Sequence, residues 1–307
     1  VAKFDESLKI WMNGKMVNWK DATVHIAVHA LHYGSAVFEG IRCYKAPDGS
    51  VIFGLRQHIR RLFDSAKIYR MKSPHTREDL ENACIEVCRA NKMEEAYLRP
   101  ILYRGYDSLG VAPGDCPIDA AVIPLRWGKY LGAEALERGI DVCVSSWTRI
   151  APNTLPALAK SGANYMNSQL IKIDAMAMGF TEGIALDRGG FVSEGSGENI
   201  FLVRDGELWT PPLSGSVLPG ITREVVLHLA SEMKIKVTIG AVPREMLYIA
   251  DEVFFTGTAA ELTPIRTIDK IEVGPGKPGP ITLQLQKGLF DIIEGRRPDP
   301  MNLRVHI

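Results

Sequence analysis

Three groups of residues in this chain have types and spacing suited to chemistry. The run Glu194-Gly-Ser-Gly-Glu-Asn199 sets a carboxylate among small residues, where a backbone can come close to a ligand. Further on, Leu218-Pro-Gly-Ile-Thr222 precedes the apolar run Val225, Val226, Leu229, Ala230 and Met233. A helix starting there presents the unpaired N–H groups of Ile221 and Thr222, a ready site for phosphate. The third group surrounds Lys160, since no acidic residue stands between Val142 and Ile173. A lysine with small neighbours and no local carboxylate is more easily desolvated, which favours the neutral nucleophilic amine. Taken singly, Glu194 and Glu198 read as solvated loop acids and Lys160 as a surface lysine. Together they suit a ligand with a phosphate at one end and a basic ring at the other, whose ring nitrogen Glu194 would keep protonated.

The elements that must position these groups are legible in outline. Asn13-Gly14 predicts a tight hairpin at the start, and Val24 to Val28 reads as a further strand. Arg56 to Met71 has a helical stripe of Ile59, Leu62, Phe63, Ala66 and Tyr69, with Arg60 and Arg61 off it. Thr76 with Asp79 caps a second helix, whose stripe makes Cys84 and Cys88 core residues. Alternation in Tyr97-Leu-Arg-Pro-Ile-Leu-Tyr103 puts Tyr97, Arg99, Ile101 and Tyr103 on one face. A cation between two tyrosines suits a carboxylate pocket; the plainer reading is an exposed edge strand.

The glycine spacing of Arg126 to Gly132 marks a linker. We therefore expect a small N-terminal α/β domain over 1–125, a linker over 126–134 and a larger domain over 135–307. In the second half, strands flank Gly189-Gly190, a hairpin turns at Asp205-Gly206, and Asn164 to Met178 is helical. The strand Glu252 to Phe255 ends in Thr256-Gly-Thr-Ala-Ala260, small residues that let backbone line a site or lead plainly into a helix.

Composition narrows the function. The chain has 307 residues, and 36 basic side chains balance 36 acidic ones, so no overall field attracts nucleic acid or an anionic membrane. No segment approaches the ~20 apolar residues of a membrane span, and the N-terminal stretch is too charged for a signal peptide. Five cysteines without zinc-type spacing read as reduced thiols, which places the chain in the cytoplasm. His25, His29 and His32 could align on a helix, but no carboxylate completes a metal set, so no metal is expected.

Glu194, Asn199, Leu208-x-Thr210 and Leu218-x-Gly220-Ile221-x-Arg223 fall at the spacing of a known signature. The stretch resembles that of the class IV aminotransferases, which use pyridoxal 5'-phosphate. Beyond it, His29 to Gly34, Val37 to Arg42, Tyr97-x-Arg99-Pro and Gly257 to Glu261 resemble the branched-chain group over nearly the whole length. The resemblance implies an α/β fold of type IV with mixed sheets, two domains and the cofactor at the domain interface.

By the same resemblance Lys160 carries the cofactor covalently and Tyr165 bonds its phenolic oxygen. Arg61, Asn199, Leu218, Gly220, Ile221, Thr222, Gly257 and Thr258 complete the cofactor set with Glu194. Phe38, Gly40, Tyr97, Arg99, Trp127, Thr258 and Ala259 handle substrate, while Tyr33 and Val111 reach into a neighbour's pocket. It implies a homo-oligomer, at least a dimer and as large as a hexamer. The implied activity is branched-chain-amino-acid transamination, from L-leucine, L-isoleucine or L-valine to 2-oxoglutarate. An R-amine or D-amino-acid transaminase, or an aminodeoxychorismate lyase, would share the fold.

Overall fold

Asn13 and Gly14 take φ values of +48° and +87°, the left-handed pair that a two-residue hairpin demands. They join β1 (Lys9–Met12) to β2 (Lys15–Asn18) antiparallel. The computed structural model describes residues 4–126, 128, 131, 132 and 134–307. Trp127, expected in the pocket wall, lies outside these, as does part of the expected linker. Contacts divide the chain into two units, one of residues 1–128, 159–163 and 292–307, the other of 129–158 and 164–291.

In the first unit, α1 (His29–Tyr33) precedes β3 (Ala36–Phe38), β4 (Ile41–Ala46) and β5 (Gly49–Phe53). Then come α2 (Leu55–Ile68), α3 (Arg77–Ala90), β6 (Ala96–Arg104) and β7 (Ile118–Leu125). The sheet runs Arg304–His306, β5, β4, β6, β7, β1, β2, with β3 also on β6. Thr76 and Asp79 form the expected capping box on α3. Ile59, Leu62 and Ala66 of α2 meet Leu80, Cys84, Val87 and Cys88 of α3 in one core with Leu98 and Leu102 of β6. Each such fully buried aliphatic contributes about 1.5–3 kcal/mol. The opposite face of β6 is thereby left to Tyr97, Arg99, Ile101 and Tyr103.

The expected strand over Val24–Val28 does not form. These residues run as irregular chain and a turn, with Val24 and Ile26 exposed. Their β-branched side chains have no sheet neighbour to pack on, which is what β propensity measures.

The second unit begins with α4 (Ala135–Arg138), β8 (Ile140–Val144), α5 (Asn164–Ala177), β9 (Glu182–Leu186) and β10 (Val192–Gly195). It continues through β11 (Asn199–Arg204), β12 (Glu207–Thr210), α6 (Ile221–Glu232), β13 (Val237–Ile239) and α7 (Met246–Ile249). β14 (Glu252–Gly257), β15 (Glu261–Ile268), β16 (Ile271–Glu272) and α8 (Pro280–Ile293) follow, the last ending in the first unit. Sheet order is β10, β9, β8, β15, β14, β11, β12, β13, with β16 on β15. Pairs β8–β9, β8–β15 and β12–β13 are parallel and the rest antiparallel, so the fold is of the mixed α/β kind.

Glu194 lies within β10, where the register shifts between Val192 and Glu194. One local expectation is corrected. Residues 258–260 turn β14 into β15 and lead to no helix. Among the described residues no helix is long and apolar enough to cross a membrane.

Candidate active site

Lys160 belongs to the first unit, where residues 159–163 return to it. The Lys160 N–H donates to Ser65 Oγ at 3.0 Å, and the Phe38 N–H donates to the Lys160 carbonyl at 3.0 Å. An isolated bridge pairs Val37 with Ser161. Main-chain bonds thus fix the residue, and its side chain is half-buried. Lys160 Nζ lies 5.1 Å from the centre of the Phe38 ring, and the Arg99 guanidinium lies 4.7 Å from the same ring. Arg99 is also 5.6 Å from the Tyr97 ring. Its Nε is buried with no acceptor. A buried donor without a partner costs about 1–3 kcal/mol, which an arriving carboxylate would recover.

Gly40 holds Tyr97 in place, because a Cβ at residue 40 would lie 1.8 Å from the Tyr97 hydroxyl. Beside it Glu39 is fully buried, accepting from Arg61 Nε and Nη2 at 2.7 and 2.8 Å and from His58 Nδ1 at 2.7 Å. Burial pushes the Glu39 carboxyl up, but the charges of Arg61 and then His58 more than offset this and hold it well below the usual carboxylate range. Burial lowers His58. Glu39 pulls the other way, and the 2.7 Å contact to Nδ1 keeps the imidazole on the carboxylate. The sequence reading missed Glu39 and His58, since nothing in their spacing marks them.

The three candidate metal histidines make separate contacts. His29 faces Ser35 Oγ at 2.7 Å through Nδ1 and the Gly110 carbonyl at 2.9 Å through Nε2. His32 meets the Ile26 carbonyl, and His25 packs on Tyr106. His29 also stacks on Tyr33. It thereby ties the helix of Tyr33 to the loop of Val111, and both residues are exposed, Val111 by 90%.

In the second unit Glu194 is buried among three donors. Arg149 Nη2 reaches Oε1 at 2.7 Å, while Asn199 Nδ2 and the Leu218 N–H each reach Oε2 at 3.0 Å. Arg149 is itself buried and donates also to Asn167 Oδ1 at 3.0 Å. Sequence reasoning missed this arginine, although it is a cation inside the stretch without acids. Asn199 Nδ2 also donates to the Leu218 carbonyl at 2.9 Å, so one amide joins the carboxylate to the segment leading into α6. Gly220 caps that helix with no side chain, and a Cβ there would stand 1.9 Å from Asn199 Oδ1.

The helix start at Ile221 and Thr222 therefore has no capping side chain, which fits a phosphate. The carboxylate paired with Arg149 at 2.7 Å fits a protonated ring nitrogen. Tyr165 stands half-buried in the first turn of α5, and Thr258 and Ala259 lie in the β14–β15 turn. The first unit thus holds Lys160, Arg61, Phe38, Gly40, Tyr97, Arg99, Tyr33 and Val111. The second holds Tyr165, Glu194, Asn199, Leu218, Gly220, Ile221, Thr222, Gly257, Thr258 and Ala259.

Residues 36–268 match the family described as Amino-transferase class IV. The chain belongs to the class IV aminotransferases. Among relatives in this family, the branched-chain-amino-acid aminotransferase of Escherichia coli K12 is 51% identical over 291 residues, 94% of each chain. That of Pseudomonas aeruginosa is 44% identical over 287 residues, 94% of this chain and 93% of its own. The crystal structure of the Escherichia coli branched-chain amino acid aminotransferase is similar with a TM-score of 0.96 and 49% identity, covering 97% of this chain and 98% of that one. Another branched-chain amino acid aminotransferase, solved in complex with N-(5'-phosphopyridoxyl)-L-glutamate, superposes with a TM-score of 0.93 at 41% identity, covering 98% and 99%. Class IV aminotransferases thus account for the whole fold, not only the signature.

Proposed function

We propose that this chain is a branched-chain-amino-acid transaminase, moving the amino group of L-leucine, L-isoleucine or L-valine to 2-oxoglutarate with pyridoxal 5'-phosphate. Half-identity to the Escherichia coli enzyme over 94% of both chains carries this reading. The R-amine, D-amino-acid and lyase alternatives have no comparable support.

When bound, pyridoxal phosphate supplies an aldehyde that exchanges amino groups and a ring that takes up the electron pair released at Cα. Lys160 is the residue that holds it and, once displaced, moves the Cα proton as base and then acid. Glu194 keeps a proton on the ring nitrogen, with Arg149 and Asn199 fixing the carboxylate. The N–H groups of Ile221 and Thr222, with Arg61 and Thr258, hold the phosphate, and Glu39 aims the Arg61 fork. Tyr165 donates to the phenolic oxygen. Leu218, Gly220 and Gly257 shape the backbone around it.

Phe38, Tyr97 and Gly40 with the 258–259 turn bound the substrate, and the unpaired Arg99 Nε is the donor for the second carboxylate of glutamate. Arg99→Ala is expected to lower kcat/KM for glutamate by about 100-fold, as truncation of a buried charged partner does, and for leucine by less than about tenfold. Equal losses on the two substrates would reject this division.

The exposed Tyr33 and Val111 support an assembly of at least two copies, up to a hexamer, in which these residues serve a neighbour's pocket. Val111→Asp should weaken that assembly, read by sedimentation velocity at micromolar protein, and lower activity with it. A monodisperse species unchanged in mass and rate would remove Val111 from the interface. A cytoplasmic home is proposed on the five thiols, all free.

The reading as a whole is tested by absorbance. The visible band of the loaded protein should fade with L-leucine and return with 2-oxoglutarate. Bleaching by D-alanine or R-phenylethylamine alone would overturn it.

A further inference from the structure

The transaminase reading leaves one buried acid unused. Glu198 follows the small residues of the Glu194 turn and is 4% exposed. Its side chain packs on two glycine backbones. A Cβ on Gly195 would lie 2.7 Å from Glu198 Oε2, and one on Gly257 would lie 3.8 Å from its Cγ. Its Oε2 accepts the Gly197 N–H at 3.0 Å, and its carbonyl accepts the Gly195 N–H at 2.7 Å. The side chain therefore locks residues 195–198 and lies against the strand end that leads to Thr258.

The charges around it do not balance if Glu198 is ionised. Glu182 of β9 is fully buried and takes Lys172 of α5 at 2.7 Å. Glu194 of β10 takes Arg149 at 2.7 Å. Each cation in this cluster is thus committed to another carboxylate, and among the described residues no ion pair reaches Glu198. A third buried negative charge with one N–H for company is strongly disfavoured.

We propose that Glu198 is a positioning residue that must keep its proton, its neutral carboxyl locking the turn against Gly257 and its ionisation setting the alkaline limit of catalysis. The proposal rests on the transaminase reading. Burial, and then the Glu182 charge, push the carboxyl up to about 8 against the pull of the Gly197 N–H and Lys172, with Glu194 adding to the rise. The sign follows from linkage. The folded chain keeps a proton that the unfolded chain releases above its ordinary 4.5. This contribution to stability is therefore full below that value, declines as pH rises, and is gone above about 8.

Glu198→Gln copies the neutral acid and cannot ionise. Melting of the cofactor-loaded wild type and E198Q is compared from about pH 5 to 9, together with the rate of each, normalised to its own maximum. The Tm of E198Q should gain on that of wild type by several degrees across this range. Its alkaline limb should lie at least about one pH unit higher. Glu198→Ala should lose activity at every pH, with E198Q recovering most of the loss. Wild type should also show a protonated-carboxyl infrared band near neutral pH that E198Q lacks. Parallel Tm curves, or a missing band, would overturn the proposal. Diverging Tm curves with coincident limbs would also overturn it, since the proton would then serve stability alone. Failure of L-leucine to bleach either protein would sink the transaminase reading instead, a result distinct from all of these.

Discussion

Lys160→Ala is expected to abolish transamination, with a loss of at least about 10⁴-fold. Acid–base catalysis by a positioned side chain alone contributes about 10²–10⁴, and the covalent role of the amine adds to that. The fold should survive, because residue 160 is fixed through its own main chain, by Ser65 Oγ and the Phe38 N–H, neither of which the substitution touches. Unchanged melting together with lost turnover is thus the expected pair of results. A small added amine such as methylamine should restore a measurable part of the proton transfer. Turnover within tenfold of wild type would remove Lys160 from the mechanism.

Arg149→Ala should cost about 3–5 kcal/mol of stability, the usual penalty for leaving a buried charge without its partner. The pair is 6% exposed on both sides, and Arg149 Nη1 also holds Asn167. Removing Glu194 as well should return part of the loss, since the uncompensated carboxylate goes with it. Urea unfolding of the two single variants and the double variant measures that coupling. An additive cycle, or a single-variant loss below about 1 kcal/mol, would show that the Asn199 and Leu218 N–H donors suffice for Glu194. Cofactor affinity should fall in parallel, because Glu194 Oε1 would lose the donor that fixes its position.

These two positions also show what a sequence discloses. Lys160 stands out through a long stretch without acids, which alone reads as a surface lysine, and takes its proposed role from the class IV resemblance. Glu194, Asn199 and the Gly220–Thr222 helix start were legible as a spaced set, and the Asn13-Gly14 and Asp205-Gly206 turns as dipeptides with one geometry. Arg149 was not, because a lone arginine paired with an acid 45 residues later leaves no periodicity in the chain. Glu39 and His58, which hold Arg61, escaped for the same reason. The strand wrongly expected at Val24–Val28 shows the opposite error, in which local preference spoke and the sheet supplied no neighbour.

The five residues 159–163 have a consequence for how the protein can be made. They complete the first unit although the stretches on both sides of them belong to the second. The Arg304–His306 strand likewise pairs with β5 across almost the full length of the chain. Neither unit is a continuous run of sequence, so no single cut yields two self-sufficient fragments. A truncated 1–128 polypeptide would lack the Ser161 bridge, its edge strand and Lys160 itself. Residues 304–306 must therefore be made before the outer edge of β5 can be paired.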